Sequence, residues 1–64
     1  MKFTYKVTTK EIFSRPISSS ADTKEEIEAA TGMTITKLDW DILKRSGKRV
    51  VEDADFVLVI EKIK

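Results

Sequence analysis

Phe3, Tyr5 and Val7 alternate with Lys2, Thr4, Lys6 and Thr8, the period of two that marks a half-buried β-strand. β-branched and aromatic residues dominate the segment, as a pleated surface favours. A second apolar group follows at Ile12, Phe13 and Ile17. It fits either a hairpin turning near Thr9 and Lys10 or one long strand across 2–18, bent near Arg15 and Pro16. The hairpin is preferred, although no Gly or Asn marks a tight turn. Pro16 cannot donate to a ladder and so assigns this portion to a sheet edge. Ser18, Ser19 and Ser20 read as a polar connector.

The pattern then changes. Thr23 to Thr31 is rich in helix formers. Asp22 with Glu25 three residues on resembles a capping box, with Ser19 and Ser20 as alternative caps. Gly32 is the expected left-handed stop, after which Met33 can fold back on Ile27. The apolar face is thin, so this short helix needs a sheet beneath it. Met33 to Lys44 is expected as a strand: Met33 and Ile35 share one phase, while Leu38, Trp40 and Ile42 share the other. That change of phase calls for a bulge near Thr36 and Lys37. Ser46 and Gly47 mark a turn, Val50 and Val51 a brief pairing, and Glu52 to Asp55 a polar link. Phe56 to Ile63 is the last strand. It opens with five consecutive apolar residues, Phe56 to Ile60, a run characteristic of a strand covered on both faces.

These elements predict one α+β domain over residues 1–64. It is a small antiparallel sheet of three or four strands with one short helix packed on it, in the order β(β)αββ. A single helix covers one sheet face, so part of the other is expected to be covered by a second copy of the chain. Length strengthens that expectation. A domain of 64 residues builds only a marginal core, and such domains commonly add disulfides, a metal or a partner subunit. Cysteine and histidine are both absent, which excludes disulfides and the usual structural zinc site. Self-association remains.

Composition narrows the function classes. Hydrophobic residues at 41% and charged residues at 36% place the chain among folded proteins. A net charge of +1 supplies no global field to attract nucleic acid or an anionic membrane. No apolar run reaches the ~18 residues of a membrane span, and Met1 to Lys10 lacks the core of a signal peptide. The expected location is therefore the cytoplasm, with no membrane contact.

Catalytic chemistry finds little support. Without cysteine or histidine, and with no serine in an elbow pattern, nucleophilic catalysis lacks its usual parts. Asp39 and Asp41 on a strand would point to one face about 7 Å apart, a spacing that paired acid–base carboxylates also show. Two solvated acids explain them more simply. Glu52, Asp53 and Asp55 lack the glycine and spacing of a calcium loop. No enzyme activity and no cofactor are expected.

Two constellations point to binding. Lys44, Arg45, Lys48 and Arg49 around Ser46-Gly47 form a basic hairpin tip, able in principle to grip a phosphate, although such residues also make ordinary soluble tips. Trp40, the only tryptophan, together with Phe56 and Leu58, reads as a set of interface anchors. The succession of Trp-bearing strand, basic turn and apolar strand over Leu38 to Ile63 resembles in layout dodecin, a small flavin-binding oligomer. That resemblance implies a planar ligand stacked on Trp40. The leading expectation is a non-catalytic, homo-oligomeric (dimer or larger) interaction module that regulates or inhibits a larger protein partner. The first alternative is nucleic-acid or phosphate binding through the tip at 44–49, and the second is the carrier implied by the dodecin-like layout.

Overall fold

The computed structural model describes residues 2–11 and 15–63. Ile12 and Phe13, read above as part of an apolar group, lie outside the described residues. The chain runs β1 (Phe3–Thr9), β2 (Ile17–Ala21), α1 (Lys24–Thr31), α2 (Lys37–Ser46), β3 (Lys48–Glu52), β4 (Phe56–Lys62). The four strands form one antiparallel sheet in the order β2-β1-β4-β3. The fold is thus mixed α+β with an antiparallel sheet, as expected, but among the described residues it carries two helices and not one.

β1 and β2 form an antiparallel pair, with Phe3 opposite Ala21 and Val7 opposite Ile17. The two arms therefore pair as a hairpin and not as a single bent strand, but the turn is not at Thr9, which is still a strand residue opposite Phe56. Its second arm differs from the expectation: Ser18, Ser19 and Ser20 are strand residues, not a connector. An edge strand needs only its backbone to pair. Here Ala21 alone among the five side chains is buried, so the segment carries no hydrophobic alternation to read.

The N-cap of α1 lies one residue after the Asp22 assigned from sequence. Thr23 is the N-cap, its hydroxyl oxygen accepting the Glu26 N–H at 3.2 Å, and Glu26 reaches back to accept the Asp22 N–H at 3.3 Å. The first bond is that of a capping box shifted by one position, whereas the return bond from Glu26 reaches the N–H before the cap instead of the cap's own. Gly32 ends the helix at φ 72°, donating its N–H to the Glu28 carbonyl, as its placement predicted.

The segment Lys37–Ser46 is a helix, not the expected Trp-bearing strand. Thr36 caps it by accepting the Asp39 N–H at 3.1 Å and donating its own O–H to Asp39 Oδ2 at 2.8 Å. Gly47 at φ 87° closes it, its N–H donating to the Leu43 carbonyl. Ser46-Gly47 is therefore a helix terminus that feeds directly into β3. The alternation of Leu38, Trp40 and Ile42 is not a burial pattern. Leu38 is 68% exposed while Leu43 is fully buried, and Trp40, at the i,i+3 spacing that shares a helix face with Leu43, packs half-buried against the core.

Both helices lie on one face of the sheet. Ile27 of α1, Leu43 of α2, and Met33 and Ile35 of their connection join Phe3, Tyr5, Ala21, Leu58 and Ile60 in one core. The connection from β2 to β3 crosses from one sheet edge to the other, and so roofs this face with two short helices. Glu28 fastens the roof by accepting the Ile35 N–H at 2.8 Å.

Candidate interaction surfaces

The strand register sorts every side chain onto one of two sheet faces. Phe56, Leu58 and Ile60 of β4 stand beside Thr9, Val7 and Tyr5 of β1 under the helices. Leu58, read from sequence as an interface anchor, is wholly buried in the chain's own core. It has no surface to offer a partner. Phe56 is half-buried and packs against the same core. Trp40 is also half-buried, its ring tilted 49° to that of Phe3 with centroids 4.7 Å apart, a favourable aromatic geometry. It sits on a helix, not on the strand that the dodecin-like layout requires.

The opposite face forms a three-row grid. The first row reads Ser20, Thr4, Glu61 and Lys48 across β2, β1, β4 and β3. The second reads Ser18, Lys6, Val59 and Val50, and the third Thr8, Val57 and Glu52 across β1, β4 and β3. Val57 and Val59 are half-buried by their neighbours and Val50 is 44% exposed. Among the described residues no helix crosses this face. The result is a small valine patch ringed by Thr8, Lys6, Lys48, Glu61 and Glu52. The five-residue apolar run contained this signal: successive members of any strand point to opposite faces, so Val57 and Val59 had to face away from Leu58.

The basic residues do not form a tip. Lys44 and Arg45 occupy the last turn of α2, where cations complement the helix dipole. Lys48 lies on the outer face of β3, and Arg49 on its core face. Three of the four have acidic partners: Lys44 with Asp41 at 3.7 Å, Lys48 with Glu61 at 3.7 Å, and Arg49 with Asp39 at 2.9 Å. Arg45 projects exposed from the helix end.

The paired carboxylates also separate. Asp39 Oδ1 accepts the Arg49 Nε–H at 2.9 Å and lies 2.9 Å from Nη2 in an ion pair, which ties the start of α2 to β3. The Thr36 hydroxyl, followed by Arg49, holds the Asp39 carboxyl below its ordinary pKa, against an opposing effect of burial. Asp41 instead turns to Lys44. Asp53 accepts the N–H groups of Asp55 and Phe56 at 2.8 and 2.7 Å and shapes the β3–β4 turn. Among the described residues, no three acids gather as cation ligands.

A recess of ≈ 400 Å³ lies at the end of the sheet, between Thr9, Lys10, Glu11 and Ala54, Asp55, Phe56. Two of its lining residues are joined by the Lys10 N–H, which donates to the Asp55 carbonyl at 2.9 Å. No helix of the described residues is long and apolar enough to cross a membrane. No family model, curated protein or solved structure matches the chain.

Proposed function

We propose that this chain is a non-catalytic, self-associating interaction module of the cytoplasm, and that it presents the outer face of its sheet to a protein partner which it regulates or inhibits. One observation carries the reading: both helices roof the same face, so Val50, Val57 and Val59 form an apolar centre within a charged and hydroxyl-bearing rim. An apolar core with a polar rim is the anatomy of a protein interface, and contiguous apolar surface on a small protein marks sites of association. The residues that could otherwise suggest chemistry are engaged in holding the fold. Asp39, Arg49 and Asp53 serve as cap, clamp and turn.

Affinity purification from the native host tests this. The wild-type chain is compared with Val57→Lys/Val59→Lys and with a Lys44→Glu/Arg45→Glu control. A protein retained by the wild type and the control, and lost on the double-lysine face, supports the module. Retention that depends on Lys44 and Arg45 instead, and is abolished by nuclease, transfers the function to nucleic-acid binding.

A further inference from the structure

We infer that β3 is the self-association edge of this protein, and that two copies pair β3 to β3 antiparallel about Val50 into one eight-stranded sheet. The inference rests on the self-association part of the reading above and is independent of the outer face having a partner.

Backbone parity comes first. The Lys62 N–H donates to the Gly47 carbonyl and the Asp53 N–H to the Phe56 carbonyl. Hydrogen-bonded and non-bonded pairs alternate along an antiparallel ladder. Arg49 and Val51, two and four positions on from Gly47, therefore bond to β4, while the peptide groups of Lys48, Val50 and Glu52 point outward from the sheet edge. The Ser46 hydroxyl, with one proton to donate, lies 2.8 Å from the Ile42 carbonyl and 2.9 Å from that of Lys48, which keeps a lone pair for a second donor. The Lys48 N–H and both peptide groups of Val50 and Glu52 present a template for another strand.

The same three side chains stand on the outer face, and their order is self-complementary. Pairing about Val50 sets Val50 against the partner copy's Val50, Lys48 against its Glu52, and Glu52 against its Lys48. Opposite charges directly across a ladder stabilise it, and like charges destabilise it. Slipping the register by two residues in either direction breaks both charge pairs, setting Lys48 or Glu52 against a valine and leaving the other without an opposite charge. Charges at an exposed edge ordinarily repel an added strand; here they select one register of one partner. Glu61 beside Lys48 and Lys10 beside Glu52, at 3.7 and 3.3 Å, extend the seam into a row of alternating charge.

The twofold axis stands perpendicular to the sheet, so each copy makes the same contacts and the two valine patches merge across the seam. Helix α2 packs on β3 and β4. A helix seated over that pair and its symmetry mate would stand two strand spacings apart, about 10 Å, the ordinary distance between packed helices. The other edge offers no such code, since β2 is uncharged and follows Pro16.

Sedimentation velocity on the full chain from micromolar to millimolar concentration tests the inference. The wild type is expected to dimerise. Val50→Pro removes an outward N–H that the monomer does not use, and is expected to abolish the dimer. Lys48→Glu and Glu52→Lys are each expected to weaken self-association about tenfold, whereas an equimolar mixture of the two recovers dimers, because only the mixed pair restores both contacts. The mixture decides the matter should Val50→Pro fail to fold. A wild-type chain that stays monomeric at millimolar concentration overturns both this inference and the self-association reading. A dimer that is indifferent to Val50→Pro, or to the charge changes and their mixture, overturns the β3 pairing while leaving association through another surface.

Discussion

Asp39→Ala tests how the helical roof is fastened to the sheet. The substitution leaves the Asp39 N–H bonded to Thr36 Oγ1 but deletes the carboxylate. It removes the Thr36 hydroxyl contact at 2.8 Å and both Arg49 contacts at 2.9 Å. The acid's side chain is only 15% exposed and the arginine's 37%, so the pair is partly shielded. A hydrogen bond to a charged group is worth about 1.5–3 kcal/mol, and solvent at the arginine brings this pair to about 1–1.5 kcal/mol. Loss of an anion from the first turn of α2 adds about 0.5 kcal/mol. The expected destabilisation is about 2 kcal/mol, or a fall in Tm of roughly 10 °C for a domain of this size. Urea unfolding followed by Trp40 fluorescence and circular dichroism measures it. A cycle with Arg49→Ala should give a coupling of about 1 kcal/mol. The sign of the pH dependence follows from the lowered pKa of Asp39. The stabilisation is present above the unfolded-state value of about 3.9 and is lost as pH falls through the lower folded value. The gap between wild type and Asp39→Ala should therefore close on acidification below that range. A variant within 0.5 kcal/mol of wild type, about the effect of an ordinary surface substitution, or an additive cycle with Arg49→Ala, would refute the clamp.

Leu58→Ala empties a wholly buried site and should cost about 2–5 kcal/mol, enough to unfold much of the population in circular dichroism; Leu38→Ala on exposed α2 surface should change stability by less than about 0.5 kcal/mol. Gly47→Ala meets no atom within 4 Å, so its cost is the left-handed backbone alone, about 1–2 kcal/mol in chemical denaturation, with Gly47→Asn milder. Thr23→Ala should cost about 1 kcal/mol and reduce amide protection in the first turn of α1 more than in α2.

The elements that came through in the sequence are those whose burial follows a single period. In β1, Phe3 and Tyr5 are buried and Thr4 and Lys6 exposed, and the alternation is visible as written. The β4 run disclosed both its inner and outer faces, although of the anchors chosen from it Leu58 is a core residue and Phe56 lies half-buried against the core. α2 was hidden because Leu38, Trp40 and Ile42 happen to alternate. Its true signals were Thr36 with Asp39 three residues on, and Gly47 one residue beyond the end. β2 was hidden for the opposite reason: its serines bury no side chain, and its strand state comes from the β1 backbone beside it. The basic tip dissolved with α2, since a helix end and a strand send Lys44, Lys48 and Arg49 to different partners.

The central claim is that the outer sheet face is a contact surface in the cell. A photo-crosslinking amino acid placed at Val59, with another at Leu38 as an exposed apolar control on the helical side, tests it in living host cells. The account predicts discrete adducts from Val59 to a partner protein, and none of comparable yield from Leu38. Equal yields from both positions, or no adduct from Val59, would contradict it.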